Sequence, residues 1–339
     1  MPIQYETGSI REHHLVRNSA GLFDISHMGR FRIAGSGATR QLNRLISSDL
    51  TQVEPGRSAY GLICNERGGV LDDVFSYRRD DGWLVVVNAA NRQRDAEWFS
   101  DHFSTSDVVL EDISDRTAMI AVQGPSAIDI VDEISEEPVS QLPRFAMSSM
   151  RLAGTTAEVG RTGYTGEDGV ELIVDADAAV EVWAHILAVA ASREIACGPI
   201  GLAARDSLRF EAGFALYGHE LTESITPIEA RLKWACALDS DFLGRDAMLT
   251  KSSEEQKRLA TVRMIDRGVP REGFAVLHES TTVGRVASGM YAPTVDSYCA
   301  NVFVPAPLAK VGQDMEIEIR DRPRRAVVVK RPLYKPTYR

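Results

Sequence analysis

Apolar and polar residues follow one recurring order along the chain before residue 255: a short apolar run, a turn of small residues, then an amphipathic segment. Short apolar runs predict strands, and apolar residues at helical spacing predict helices. The predicted strand–helix pairs are Phe31–Gly35 with Ala38–Ile46, Leu84–Asn88 with Arg92–Phe99, Met119–Gly124 with Ser126–Ile134, and Val170–Val174 with Ala178–Ala191. The first and third pairs resemble each other, which indicates an internal repeat.

The segment Ala178–Ala191 has a clear helical pattern, and Asp177 before it is a suitable N-cap. The apolar residues at helical spacing are Val180, Trp183, Ile186, Leu187 and Ala190. Elsewhere strands follow one another without a helix, as at Ser149–Leu152 and Ala157–Arg161. This mixture favours an α+β fold with antiparallel pairing over a doubly wound parallel sheet.

The pattern changes after Glu254, where short apolar runs alternate with Gly and Pro and no helix is predicted. The predicted strands are Leu259–Met264, Ala275–Leu277, Val283–Ala287, Ala300–Val304, Met315–Ile319 and Ala326–Lys330. Several short strands with regular turn signals are typical of a small β-barrel or sandwich. We therefore expect two regions, 1–254 and 255–339.

Composition narrows the possible functions. The 339 residues include 48 acids and 38 bases, for a net charge of −10, which argues against nucleic acid or an anionic membrane as the partner. The four cysteines form no C-x-x-C pair, so zinc is not indicated and we predict no metal. Reduced thiols and no visible signal peptide predict a cytoplasmic protein.

The segment Asn65–Asp73 combines turn-forming glycines with two acids, Asp72 and Asp73, and precedes a predicted strand at Val74–Tyr77. One interpretation is a hairpin with both acids in solvent. The other is that one carboxylate points at a ligand. Because neighbouring side chains on a strand point to opposite faces, the two acids are not expected to act as a dyad.

The segment Arg161–Glu171 has the same character and ends with Glu171 inside an apolar strand. An unpaired buried carboxylate is costly, so Glu171 must be exposed, paired with an arginine, or bonded to ligand N–H groups. The residues alone favour exposure. Similarly, Arg205 and Arg209 lie four residues apart on a predicted helix, where surface salt bridges are the default interpretation.

Motifs for other chemistries are absent from the sequence. There is no nucleophile elbow, no G-x-G-x-x-G after a strand and no H-E-x-x-H. His27 and His219 have no second ligand at metal spacing, so hydrogen bonding in the core or at the surface is favoured for both.

In their order, the segments of this chain resemble the aminomethyltransferase (T-protein) family of the glycine cleavage system. The resemblance covers essentially the whole chain. It runs through Gly21–Gly29, Leu62–Asp73, Val87–Asn91, Arg161–Glu171, Gly201–Gly213, Leu216–Glu220, Thr226–Glu229, Arg267–Arg271 and Ala287–Gly289.

The resemblance implies a three-lobed, cloverleaf-like α+β fold: two interleaved α+β subdomains and a C-terminal β-barrel, with tetrahydrofolate in a central hole. It implies that Asp73 is the essential acid near the folate nitrogens and that Glu171 binds the amino edge of the pterin. Further implied pocket residues are Tyr60, Tyr77, Asn88, Tyr164, Arg205, Met28 and Trp234. The C-terminal Arg339 is a candidate cation for the folate tail.

The implied reaction transfers an aminomethyl carbon from the lipoyl arm of a carrier protein, the H-protein, to tetrahydrofolate, with release of ammonia. A folate nitrogen is the nucleophile, which explains why the sequence contains no nucleophile motif. Two alternatives on this fold remain open. One is a folate-dependent demethylase of a small methylated amine or sulfonium compound, and the other is a non-catalytic folate-binding iron–sulfur maintenance protein.

Overall fold

A computed structural model of the protein describes residues 1–103, 107–254 and 257–336. The helices are α1 Ser9–Asn18, α2 Ala38–Leu45, α3 Arg92–His102, α4 Ala127–Ile134, α5 Ala179–Ser192, α6 Leu202–Ala212 and α7 Arg245–Glu254. The strands up to residue 199 are β1 Ala20–Asp24, β2 Gly29–Ala34, β3 Ser58–Cys64, β4 Val70–Arg79, β5 Gly82–Val87, β6 Val109–Asp112, β7 Thr117–Gln123, β8 Met147–Leu152, β9 Thr155–Gly160, β10 Gly169–Asp175 and β11 Cys197–Pro199. The remaining strands are β12 Lys257–Met264, β13 Ala275–His278, β14 Thr281–Ala292, β15 Ser297–Pro305, β16 Asp314–Glu318 and β17 Pro323–Val329.

The chain forms two compact units. The first contains residues 1–61 and 73–208, and the second contains residues 62–72 and the chain from Arg209 onward. The expected boundary between 254 and 255 remains a prediction, because residues 255 and 256 lie outside the described residues. In the described part of the chain, we find no helix with the length and apolar character needed to cross a membrane.

The first unit confirms the internal repeat. Its two sheets have the orders β3-β4-β5-β2-β6 and β8-β9-β10-β7-β1-β11. Each repeat runs strand, helix, three strands, helix: β2-α2-β3-β4-β5-α3 and then β7-α4-β8-β9-β10-α5. The antiparallel bridge between Arg57 and Ala146 joins the residues just before β3 and β8, which are equivalent positions in the two repeats.

The six-stranded sheet separates two apolar clusters. Alternation sends Val170, Leu172 and Val174 of β10 to one face, where they pack in one core with Val182 and Ile186 of α5. The opposite face carries Ile173, which packs in a second core with Ala204 and Leu208 of α6. Glu171 shares this second face by alternation. The fold therefore places Glu171 on the side of the sheet that faces α6.

The helix α5 begins at Ala179, one residue later than predicted. The N-cap position is Ala178, which makes no side-chain hydrogen bond, so the assignment of Asp177 as N-cap is wrong. A short 3-10 turn at Ala176–Ala178 precedes the helix, and Asp177 is part of this turn. Val180, which was expected on the apolar face of this helix, is 82% exposed. Val182 is the residue that packs in the core instead.

The second unit contains a closed antiparallel barrel with the order β12-β15-β14-β13-β16-β17, which confirms the predicted β-barrel. Its interior is lined by alternating residues, such as Val262, Val302 and Val328. The strand predicted at Val283–Ala287 extends to Ala292, because a bulge after Val286 lets the strand bend and continue. These observations, with the mixed sheets of the first unit, confirm the predicted α+β class.

The loop of the segment Asn65–Asp73 lies in the second unit as far as residue 72. The side chain of Asn65 accepts hydrogen bonds from the backbone of Arg67 and Gly69 and donates to Glu223 O. A Cβ on Gly69 would lie 1.8 Å from Glu223 O, so this glycine permits close backbone packing. The glycines of this motif therefore shape the loop that leads into β4.

Candidate functional site

The strand β4 carries two candidate side chains, Asp73 and Tyr77, on the same face as Phe75. Alternation places Asp73, Phe75 and Tyr77 together, over roughly 13 Å of strand, and Asp72 on the opposite face. The strand begins at Val70, so both acids lie within it, and Asp72 is fully buried. The expectation of opposite faces is confirmed, and the interpretation of a turn with both acids in solvent is wrong.

Asp73 is held by the strands on both sides of β4. Tyr60 of β3 donates from its hydroxyl to Asp73 Oδ2 at 3.0 Å. Asn88, directly after β5, donates from Nδ2 to Asp73 Oδ1 at 2.8 Å. The β4–β5 register, with Phe75 opposite Val86, extends to put Asn88 opposite Asp73. Two neutral donors thus fix the orientation of this partly buried carboxyl group.

Glu171 is partly buried and bonded to hydroxyl groups, so the interpretation as an exposed acid is wrong. Thr162 donates to Glu171 Oε2 at 2.6 Å, and the hydroxyl of Tyr77 lies 2.6 Å from that of Thr162. Because a hydroxyl has one proton and Thr162 gives it to the carboxylate, Tyr77 is the donor to Thr162. Burial raises the pKa of Glu171 above its ordinary value.

The ring of Tyr77 connects the two sheets of the first unit. It starts on β4, and its hydroxyl reaches Thr162 and, at 3.4 Å, Glu171 Oε2 beside β9 and β10. Burial, and then the charge of Glu171, raises the pKa of Tyr77, so its hydroxyl remains a donor. Gly160 of β9 makes room for this ring, because a Cβ there would lie 3.0 Å from the hydroxyl oxygen and 3.2 Å from the ring.

We expect Gly160→Ala to reduce the free energy of unfolding by about 1–3 kcal/mol, the usual cost of overpacking. The ring of Tyr77 can yield only by stretching its hydrogen bond to Thr162, because it is fully buried. Urea unfolding of the variant measures the loss. The control is Gly198→Ala, whose Cβ would meet only Leu15 at 3.5 Å. An equal, small effect of both substitutions would contradict the packing argument.

Arg205 lies on α6, as predicted, with its guanidinium 4.9 Å from the ring centre of Tyr164. Burial lowers the pKa of Arg205, and the charge of Glu171 opposes that change. The default interpretation of this helix face as surface salt bridges is wrong, because Arg209 and Glu211 are also buried. Arg205 thus brings a cation to the side of the sheet that holds Glu171.

The turn between β1 and β2 carries His27 and Met28. Met28 is partly buried and packs against the second core. The pKa of His27 lies below its ordinary value, first because the imidazole is partly shielded from water and second because of the charge of Arg205. Arg30 holds this turn in place, although nothing in the sequence marked Arg30 as a residue of the site. Its buried guanidinium donates to the carbonyl oxygens of Ser26, Met28, Ser114 and Thr117.

Two of the predicted residues are not described within the first unit. Trp234 belongs to the second unit, where it is 72% exposed. Arg339 lies outside the described residues. Their expected contacts with folate remain predictions. The cluster therefore consists of Met28, Tyr60, Asp73, Tyr77, Asn88, Tyr164, Glu171 and Arg205, together with Thr162, which the sequence did not single out.

The aromatic rings of Tyr60, Phe75 and Tyr77 form a row, with Asp73 beside the first ring and Glu171 beside the last. Phe75 lies between them, with its ring centre 6.3 Å from that of Tyr60 and 5.3 Å from that of Tyr77. Among the described residues, none donates to Glu171 Oε1, so this oxygen is available to a ligand N–H. Such a site suits an extended ligand that carries a flat, N–H-rich ring at one end and a reacting centre near Asp73 at the other. Within residues 1–103, 107–254 and 257–336, no three His, Cys, Asp or Glu side chains are grouped to bind a metal.

Comparison with known proteins identifies the family. The GCVT N-terminal domain matches residues 1–240, and the glycine cleavage T-protein C-terminal barrel domain matches residues 257–335. The crystal structure of glycine cleavage system aminomethyltransferase T from Bartonella henselae superposes with a TM-score of 0.91 at 29% identity, covering 99% of this chain and 92% of that one.

Curated relatives agree. The aminomethyltransferase of Shouchella clausii is 42% identical over 99% of this chain and 92% of the relative. The aminomethyltransferase of Nostoc sp. is 39% identical over 99% of this chain and 90% of the relative. These matches cover both units and include a solved structure with the same fold. The chain therefore belongs to the glycine cleavage T-protein family of aminomethyltransferases, and it is a transferase.

Proposed function

We propose that this enzyme transfers the aminomethyl carbon of a lipoylated carrier protein, the H-protein, to tetrahydrofolate, with release of ammonia. The observation that carries the proposal is the single face of β4. It presents Asp73 at one position and Tyr77, which is linked through Thr162 to Glu171, four residues further along. One extended ligand lying along this face, with a ring at Glu171 and its reacting centre toward Asp73, would contact both acids.

Glu171 would bind the pterin. The amino edge of a reduced pterin presents parallel N–H donors, and a carboxylate accepts such donors strongly when it is shielded from water. Oε2 of Glu171 is already oriented by Thr162, while Oε1 has no donor among the described residues. Arg205 and Tyr164 pack together on this side of the sheet and would enclose the ring. The donor and acceptor groups present here fit the ligand.

Asp73 would support the transfer itself. Tetrahydrofolate supplies the ring nitrogen that attacks the incoming carbon, so the protein needs no nucleophile of its own. The carboxylate of Asp73, fixed by Tyr60 and Asn88, would stabilise the positive charge that develops on the transferred carbon. Positioning and electrostatic stabilisation together would supply the catalysis.

The partner and the compartment belong to the same proposal. Membership of the glycine cleavage family supports the lipoyl carrier as the donor. The four cysteines are free, which suits a reducing compartment such as the cytoplasm. The test is to incubate the enzyme with aminomethylated lipoyl carrier and tetrahydrofolate and to follow methylenetetrahydrofolate and ammonia. Turnover with free methylated amines or sulfonium compounds, and none with the carrier, would refute the proposal.

We expect Glu171→Gln to weaken tetrahydrofolate binding by about 10- to 100-fold, because a charge-assisted hydrogen bond is lost. Burial raises the pKa of Glu171, so in the wild type the binding affinity should rise as the pH increases through that value and then level off. The variant should lose this dependence. Calorimetric titration with tetrahydrofolate across the pH range measures both effects, and an unchanged pH profile would exclude Glu171 from binding.

A further inference from the structure

Gln123, the last residue of β7, bonds to the loop that joins β9 to β10 and to the start of β10. Its Nε2 donates to Thr162 O at 3.0 Å and to Val170 O at 3.3 Å. Its Oε1 accepts from the hydroxyl of Thr165 at 2.9 Å. The side chain is 1% exposed. One buried amide therefore ties the beginning and the middle of this loop to the start of β10.

The same loop presents two groups of the candidate site. Thr162 donates to Glu171, and Tyr164 packs against Arg205. Residues 161–168 belong to neither β9 nor β10. At the two ends, the backbone of Arg161 bonds to Phe145 and Ala146, that of Asp168 bonds to Gly124, and the side chains of Arg161 and Asp168 pair at 2.8 Å. The residues between them need further contacts. Fixing a loop residue costs about 1–2 kcal/mol of conformational entropy, which contacts from outside the loop must offset. Arg17 also holds Thr165 O, whereas Gln123 bonds to the backbone both in the loop, at Thr162, and at the start of β10, at Val170.

Gly163 shows how closely the amide fits the loop. A Cβ on this glycine would lie 1.8 Å from Gln123 Oε1, although Gly163 itself is exposed to solvent. The amide occupies the space where a side chain would begin. Because its three hydrogen bonds fix it there, it cannot move aside without releasing the loop.

We infer that Gln123 is a positioning residue for recognition of the pterin. By fixing the loop, it keeps the hydroxyl of Thr162 on Glu171 Oε2 and leaves Oε1 directed at the ligand. It also keeps Tyr164 against Arg205. Gln123 touches neither acid itself and acts through Thr162 and Glu171. This inference rests on the proposed function.

Gln123→Leu tests the inference, with Gln41→Leu as the control because Gln41 on α2 is equally buried, at 2% exposed. Binding of 5-formyltetrahydrofolate, a stable reduced folate, is measured by calorimetry. We expect Gln123→Leu to weaken it roughly 10-fold or more and Gln41→Leu to leave it unchanged. In a Glu171→Gln background, Gln123→Leu should have little further effect, which loss of general stability would not produce.

A second experiment covers the case in which Gln123→Leu does not fold. Gly163→Ala should expel the amide and weaken binding similarly, whereas in a Gln123→Ala background the same alanine should have little further effect, because the obstructing atoms are gone. Faster hydrogen exchange of residues 162–170 in Gly163→Ala reports release of the loop without any ligand. If the wild type binds the folate and Gly163→Ala binds it equally, the inference is wrong. If the wild type does not bind it, the proposed function fails first.

Discussion

Replacing Asp73 with asparagine is expected to remove most turnover while the protein stays folded. The substitution keeps the shape of the side chain and its neighbours Tyr60 and Asn88. It removes the negative charge that would stabilise the transferred carbon. Loss of one preorganised electrostatic group typically costs about 10²- to 10³-fold in kcat. We expect tetrahydrofolate affinity to stay within about tenfold, because Glu171 supplies the charge-assisted binding.

The experiment measures methylenetetrahydrofolate formation at saturating tetrahydrofolate and, separately, the dissociation constant for the folate. The control is Asp80→Asn, which makes the same chemical change at an exposed position at the end of the same strand pair. It should leave both quantities unchanged. Full turnover by a folded Asp73→Asn variant would show that this carboxylate does not act in the transfer.

The strand face that carries Asp73 was predictable from the sequence. Alternation alone separates Asp73 from Asp72 and joins it to Tyr77, and the structure has this arrangement. The pairing of Tyr77 with Glu171 could not be derived in the same way. The two residues lie 94 positions apart and belong to different sheets. Before the structure, only the family resemblance grouped these two residues together.

Thr162 and Gln123 were missed for a related reason. Their contacts join side chains to distant backbone or carboxylate groups, and such contacts leave no periodic pattern in a sequence. A polar residue at the end of an apolar strand, such as Gln123 after Val122, is the one available signal. This signal does not distinguish a buried residue that hydrogen-bonds to a loop from an ordinary surface residue.

The charged residues of α6 show the same limit. Arg205 and Arg209 have the spacing of a solvated helix face, yet both are withdrawn from solvent and serve different purposes. Arg205 contacts Tyr164, whereas Arg209 forms a buried ion pair with Glu220 at 2.9 Å. Burial depends on what the rest of the chain packs against the helix, and helical spacing does not contain that information.

Glu220 is the centre of a polar network in the second unit. Its Oε1 accepts hydrogen bonds from Ser288 and, at 2.8 Å, from Asn301. Its Oε2 accepts from Arg209 and from Leu216 N at 3.1 Å. Burial alone would raise the pKa of Glu220, but the charge of Arg209 and these donors outweigh it, so the pKa lies below its ordinary value.

We expect Glu220→Gln to lower the free energy of unfolding by about 3–5 kcal/mol, because it leaves Arg209 buried without its charged partner. The pH dependence has a definite sign. A carboxyl group with a lowered pKa in the folded state contributes stability above its unfolded pKa, and that contribution is lost as the pH falls through the folded value. Urea unfolding from neutral to acidic pH measures both effects.

Glu272→Gln is the matched control, since this acid of the second unit is exposed and lies 3.4 Å from His219. An exposed pair contributes about 0–1 kcal/mol, so this variant should unfold almost like the wild type at neutral pH. Because Glu220→Gln removes the titrating group, its stability should fall less steeply in acid, and the two curves should converge. A gap between them that stays constant down to acidic pH would mean that the network contributes through packing and hydrogen bonds rather than through the charge of Glu220.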